Sequence, residues 1–284
     1  MALSFRFGTV GSPLMTPPSP GGTVGGIRYA AQLGLDALEL AWVQGVRVQK
    51  STCAAIRAEA ERTGIALSVH APYYINLNAE DDKWPRLRQY LMDAAHFGYL
   101  AGATDIVFHP GSYFGRTPDE VMQVVFPRLE ACVRELRCAG NPVRLRPETM
   151  GKSAVIGSLQ DTLTLSQIEG VLPCLDFAHL HARYGDGRLN SYDEWMELLE
   201  AYQKALGTKA LQDLHIHLSG IEYGPKGEKN HLPIEESDLN LVALFQALRD
   251  VGAKGRILSE SPILEQDALK FRALWIEISG ESIE

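Results

Sequence analysis

Six short apolar runs in this chain each close on a histidine or a carboxylate. "IALSVH" ends in His70, "TDIVFH" in His109 and "PVRLRPE" in Glu148. "PCLDFAH" carries Asp176 with His179 just beyond, "DLHIHL" ends in His217, and "GRILSES" contains Glu260. Any one of these has a bland explanation: a satisfied core histidine, a loop cap, an ion-pair partner. Packing alone gives no reason to repeat ligand-type side chains at one position of successive runs. Several unmatched buried carboxylates also need cations. The pattern therefore points to a metal centre. Imidazole mixed with carboxylate, without thiolate, suits zinc, manganese or iron better than magnesium or calcium. One ion with an open position takes about three to five protein ligands. The candidates, with His231 in "GEKNH" counted among them, exceed that and imply two or three ions. A pair about 3.5–4 Å apart needs a bridging carboxylate and suits phosphoryl chemistry, where it clamps the attacking and leaving oxygens.

The elements that must position these residues alternate along the whole chain. "SFRFGTV" and "DALELA" join the six runs above to make eight strand candidates, dense in Val, Ile and Leu as strands buried on both faces should be. Helical segments lie between them. "WPRLRQYLMDAAHFGYLAGA" repeats apolar residues near helical period, and "PDEVMQVVFPRLEACVRELRCAG" does so around an internal Pro127. "SDLNLVALFQALRDVGAKG" opens on a Ser/Asp cap signal and closes at Gly252. Eight β-then-α units predict a (β/α)8 TIM barrel, one domain over residues 1–284. An open doubly wound sheet is the other arrangement, but no GxGxxG or GKS/T sequence follows any strand. In a barrel the functional residues sit at the C-terminal strand ends. The Pro/Gly segment "GSPLMTPPSPGGTVGG" follows the first strand and belongs at the same mouth.

Composition sets the class. The chain has 284 residues, 45% hydrophobic and 22% charged, with a formal net charge of −8, as in a soluble globular protein. Acidity argues against a general nucleic-acid coat protein, yet fits an enzyme with a local basic rim around an acidic cleft. Cys53, Cys132, Cys138 and Cys174 form no CxxC pair and read as reduced, mostly buried thiols. The start "MALSFRFGTVGSPL" reads as no signal peptide, and no run of about 18 apolar residues suggests a membrane span. The expectation is a cytoplasmic protein.

These residues resemble the endonuclease IV family of apurinic/apyrimidinic endonucleases. The pieces are "SVHAPYYINL", "VFHPGSY", "RPETMGK", "LDFAHLHARYG", "LHIHLSG", "NHLPIEESD" and "LSESP", in order over nearly the whole chain. "GSPL" and "LELAWVQGVR" look like its shorter, archaeal-type branch. The resemblance implies a xylose isomerase-like TIM barrel with two or three zinc ions at its mouth, manganese being an alternative. Glu148 matches the carboxylate bridging two ions and is the expected catalytic residue. His70 and His109 match the other ligands of the first ion, Asp176, His217 and Glu260 those of the second, and His179 and His231 two ligands of a third. His215 matches no ligand and is expected on the strand face opposite His217, under a helix. His96 and His181 also fall outside the motifs. The family pattern has an aspartate two residues before His231, where this chain has Lys229; Glu228 beside it substitutes if the loop shifts by one residue. The implied reaction is hydrolysis of double-stranded DNA 5′ to an abasic site, by a monomer. Tyr73 matches an aromatic that enters the DNA stack, with Tyr74 a second candidate. Arg47 matches the loop that in the family inserts into the minor groove. Arg116, Lys152, Arg183, Lys226 and Lys229 are further rim cations that could meet phosphates.

Two other functions compete. A sugar isomerase or epimerase of the same barrel superfamily would need only Glu148, Asp176, His217 and Glu260 around one divalent ion. The remaining histidines are surplus to it and favour phosphodiester chemistry. A metal-bearing protein that binds damaged nucleic acid without efficient cleavage is the third, although no ligand of the two-ion core is missing.

Overall fold

The computed structural model describes residues 3–282. Its strands are β1 (Phe5–Val10), β2 (Ala37–Ala41), β3 (Ala66–His70), β4 (Asp105–Phe108), β5 (Arg144–Pro147), β6 (Cys174–Asp176), β7 (Leu214–Leu218), β8 (Gly220–Gly224), β9 (Gly227–Leu232) and β10 (Gly255–Ser259). Eight of them pair in parallel in the order β5-β4-β3-β2-β1-β10-β7-β6. The two ends meet through parallel bridges, Leu145 to Val171 and Glu148 to Cys174, which close the sheet into a barrel. The eight barrel strands coincide with the apolar runs of the sequence.

The helices are α1 (Gly22–Gln32), α2 (Lys50–Thr63), α3 (Trp84–Ala101), α4 (Pro118–Cys138), α5 (Leu159–Leu165), α6 (Phe177–Ala182), α7 (Tyr192–Leu206), α8 (Thr208–Leu211), α9 (Leu241–Asp250) and α10 (Glu265–Ser279). Three start on reciprocal capping boxes: Thr117 with Glu120, Ser158 with Asp161, and Ser191 with Glu194. Pro127 lies inside α4, which runs through it. Buried faces of the helices pack on the barrel; Trp275 of α10 meets Phe5 of β1 edge to face at 4.8 Å.

The barrel floor is ionic. Asp105 of β4 is fully buried and accepts from Arg144 at 2.8 Å, Arg146 at 2.7 Å and Arg256 at 3.1 Å. Burial alone would push this carboxyl up, but the guanidiniums of Arg146, Arg256 and Arg144 hold it well below the usual range. Parallel strands thus fill their centre with a satisfied charge cluster at one end and leave the other end for the site.

Three local expectations change. The glycine-rich stretch after β7 is an antiparallel hairpin, β8 paired with β9. Helix α9 is capped by Asn240, whose side chain accepts from Ala243 N–H; Ser237 and Asp238 are engaged elsewhere, Asp238 with His181 and Tyr223. His215 is not under a helix. Residues two apart on a strand share a face, so His215 points into the barrel one layer below His217, with their rings 5.5 Å apart.

Candidate metal centre

Each candidate ligand except His231 stands at the C-terminal end of a barrel strand or on the first turn beyond it. His70 ends β3, and His109 and Glu148 directly follow β4 and β5. Asp176 ends β6 and caps α6, its Oδ1 accepting from His179 N–H at 2.6 Å. That cap turns the chain into a helix at once, which is why His179 is helical and not a continuation of the strand. His217 lies near the end of β7, Glu260 follows β10, and His231 comes from β9 of the hairpin.

The two oxygens of Glu148 face different partners. Oε2 is 3.2 Å from His70 Nε2 and 3.2 Å from His109 Nε2. Oε1 is 3.2 Å from His179 Nδ1 and 3.6 Å from His217 Nδ1. His217 Nδ1 also lies 3.3 Å from Glu260 Oε1. The donors fall into groups whose ligand atoms all lie within 4.8 Å of one another: His70, His109 and Glu148; Glu148, Asp176, His217 and Glu260; and Asp176, His179, His231 and Glu260. The ring nitrogens facing away from the centre are tied down. His70 Nδ1 donates to Ala71 O at 2.9 Å, and His231 Nδ1 to Glu260 O at 3.1 Å. Such hydrogen bonds fix the tautomer and leave the opposite nitrogen as a lone-pair donor.

The chemistry of the donors fits divalent cations. Glu148 Oε1, Asp176 Oδ2 and His217 Nδ1 are buried without a hydrogen-bond partner, and all belong to this centre. Protons alone serve it poorly. Burial pushes the Asp176 carboxyl up to about 6, with Glu260 and Glu148 adding to the rise against the pull of His179. Burial would lower His70, but Glu148 raises it to about 9. Burial would raise Glu148 too, yet His109, His179 and His217 hold it well below the carboxylate range. A cluster of carboxylates and imidazoles that bids for positive charge in this way is what cations would satisfy.

One participant escapes the sequence reading. Glu39, in the middle of β2, is fully buried and reaches both histidines of β7: Oε1 to His217 Nε2 at 3.0 Å, Oε2 to His215 Nε2 at 2.9 Å. Ser68 of β3 donates to Oε2 at 2.6 Å. A carboxylate inside the otherwise apolar run "ALELA" is the signal that could have found it. Burial, with Arg256 and Arg146 adding to it, pushes His215 down to about 4, so this ring stays neutral.

Residues 27–276 match the model of the xylose isomerase-like TIM barrel family. The chain belongs to that family. An uncharacterized protein of Methanocaldococcus jannaschii is 36% identical over 273 residues, 96% of this chain and 97% of that one. Endonuclease 4 of Thermus thermophilus is 27% identical, covering 90% of this chain and 94% of its own. Among solved structures, an endonuclease IV from Thermus thermophilus superposes with a TM-score of 0.66 at 22% identity, covering 90% of this chain and 95% of that one. A D-tagatose 3-epimerase-like protein gives the same TM-score, 0.66, at 18% identity, covering 91% and 96%. The two superpose equally well, so the shape of the barrel does not choose between them.

Around this family barrel the rim is aromatic and basic. Tyr73 is 54% exposed, and its ring stacks on that of His109 at 5.0 Å. Tyr74, Phe114 and Tyr184 are exposed in βα loops of the same mouth. Arg47 lines a groove of about 680 Å³ with Lys83, Arg86, Tyr74 and Tyr90. Three other rim cations are engaged. Arg183 is buried and donates to the carbonyls of Met150, Lys152 and Val155, which makes it structural. Lys152 faces Glu228, and Lys229 pairs with Glu222. No helix among the described residues is long and apolar enough to cross a membrane.

Proposed function

We propose that this protein is a metal-dependent endonuclease that hydrolyses the DNA phosphodiester on the 5′ side of an abasic site. The products would be a 3′-hydroxyl and a 5′-deoxyribose phosphate. The observation that carries the reading is the division of Glu148, one oxygen toward His70 and His109, the other toward His217 and His179. A carboxylate so divided is the bridge that a two-ion site requires. Similarity to endonuclease 4 over 90% of the chain supports it.

His70, His109 and Glu148 would hold one ion, and Glu148, Asp176, His217 and Glu260 the second, zinc or manganese by donor type. Ions there would polarise the phosphate, supply a nucleophilic water at neutral pH and stabilise the departing 3′-oxygen. The chain's own part is positional. Glu148 fixes the spacing of the two donor groups, and the buried walls exclude bulk water. The hydroxyl of Tyr73 is pushed up to about 12, by burial first and then by Glu260 and Glu148, so the ring stays neutral and can stack. Stacked at the mouth, it would fill the gap left by a missing base; extrusion of such a sugar costs less than that of an intact nucleotide. Arg47, Lys83 and Arg86 offer phosphate contacts along the neighbouring groove.

A sugar isomerase or epimerase is the second reading, favoured by one observation: Glu148, Asp176, His217 and Glu260 form a complete ligand group by themselves. It leaves His70 and His109 without a task. The test is a duplex with a single abasic-site analogue, incubated with protein of measured metal content. Nicking 5′ to the lesion, abolished in Glu148→Gln with the fold retained, is the expected result. No nicking with zinc and manganese restored, together with interconversion of a ketose, would overturn it.

A further inference from the structure

The barrel interior repeats its mouth one layer down. At the mouth Asp176 of β6 pairs in register with His217 of β7; two residues earlier Cys174 pairs with His215. Residues two apart on a strand share a face, so Cys174 and His215 point inward beneath the metal centre. Glu39 of β2 reaches His215 through the barrel interior, and Ser68 of β3 reaches Glu39. Interior layers of a parallel barrel are ordinarily packed with branched apolar side chains. This one holds a thiol, an imidazole, a carboxylate and a hydroxyl, all buried.

Such a cluster is tolerable when each donor and acceptor is paired. Here the pairing is incomplete. Ser68 Oγ donates to Glu39 Oε2 at 2.6 Å, and His215 Nε2 meets the same oxygen at 2.9 Å. Glu39 Oε1, His215 Nδ1 and both ring nitrogens of His217 are buried without a hydrogen-bond partner. Glu39 Oε1 and His217 Nε2 stand 3.0 Å apart yet out of hydrogen-bond alignment. The mouth centre accounts for one nitrogen of His217, Nδ1, which faces Glu148 and Glu260. It accounts for neither His215 nor the thiol. Cys174, His215 and His217 form a ligand group of their own, with one donor atom from each lying within 4.8 Å of the other two.

We propose that Cys174, His215 and His217 hold a structural zinc ion inside the barrel, separate from the ions of the mouth. The group contains the sulfur that the mouth lacks. Thiolate with imidazole is the donor combination of closed structural zinc sites. Coordination requires the thiolate, so loading releases the thiol proton. The thiolate and the Glu39 carboxylate then offset both charges of the ion, and neighbouring Arg146 and Arg256 meet no added charge. The ion would tie β6 to β7 next to the seam where Glu148 bridges to Cys174 and the barrel closes. His217 belongs to both layers; the site otherwise stands apart from the endonuclease reading. All three ligands are fully buried, so the ion exchanges only when the barrel opens.

The test loads cobalt(II), a zinc substitute whose bond to sulfur absorbs in the near ultraviolet. Wild type, Cys174→Ser, His215→Gln and, as a control at an exposed thiol, Cys138→Ser are expressed with cobalt and treated with EDTA to strip the mouth. Absorption, metal content per chain and circular dichroism are then compared. Wild type is expected to keep one EDTA-resistant ion with a sulfur-to-cobalt band, and Cys138→Ser should match it. Cys174→Ser should lose both band and ion. His215→Gln should weaken retention by more than the about 10–100-fold that follows loss of an outer-shell partner. No band in wild type, or a band that survives Cys174→Ser, would overturn the proposal. If Cys174→Ser does not fold, full retention in folded His215→Gln overturns it instead. A protein that nicks abasic duplex without the band sinks this site and leaves the endonuclease reading; a band without nicking does the reverse.

Discussion

Glu39 Oε1 lies 3.0 Å from His217 Nε2, on the side of the ring away from Glu148 and Glu260. The carboxylate of β2 therefore faces the nitrogen of His217 that points away from the centre, at contact distance and without hydrogen-bond geometry. Glu39→Gln should keep the fold and weaken the affinity for the ion next to His217 by about 10–100-fold. Chelator competition on the purified variant checks this. An unchanged affinity would show that Glu39 serves only the barrel interior.

Removal of metal should lower thermal stability. Buried Glu148, Asp176 and the imidazoles around them are left without compensation when cations are stripped. An ion at a hundred times its Kd contributes about 2.7 kcal/mol to the folded state, worth several degrees in a domain of this size. Melting with and without EDTA, then with zinc restored, reads the effect. Identical melting temperatures would sink the cation assignment.

Asp105→Asn should destabilise the protein by about 3–5 kcal/mol, because Arg144, Arg146 and Arg256 would lose their shared buried counter-charge. The sign with pH follows from the depressed carboxyl. Its contribution is fully present above the ordinary value of 3.8 and is lost as pH falls below it toward the folded value. Urea unfolding at pH 7 and at acid pH checks both statements; the gap between wild type and variant should narrow in acid.

Tyr73→Ala should weaken binding of the abasic duplex while leaving metal content unchanged. A base stacked on an aromatic ring is worth about 1–3 kcal/mol, so KM should rise more than kcat falls. If metal is lost as well, the ring is a support for His109, on which it stacks at 5.0 Å, and not a DNA contact.

Much of this molecule is legible from local pattern. A strand buried on both faces must be apolar until it ends, so a histidine or carboxylate closing the run is conspicuous. That makes His70, His109, Glu148, Asp176, His217 and Glu260 visible as one set, and repetition of the unit implies the barrel. Side-chain parity is equally available: His215 and His217 are two apart and share a face, contrary to the expectation that set them on opposite sides.

What only the tertiary structure decided depends on pairing between distant segments. Closure of β5 onto β6, the reach of Glu39 from β2 to two histidines of β7, and the β8–β9 hairpin have no local periodicity to announce them. The bulge at Lys229 is the sharpest case: Glu222 pairs with Asn230 and Tyr223 with Glu228, which leaves Lys229 without a cross-strand partner. A bulge is a mismatch of register between two strands, and register exists only once both strands are placed. Read along the chain, Lys229 replaces a ligand; read across the hairpin, it is an extra residue that pairs with Glu222.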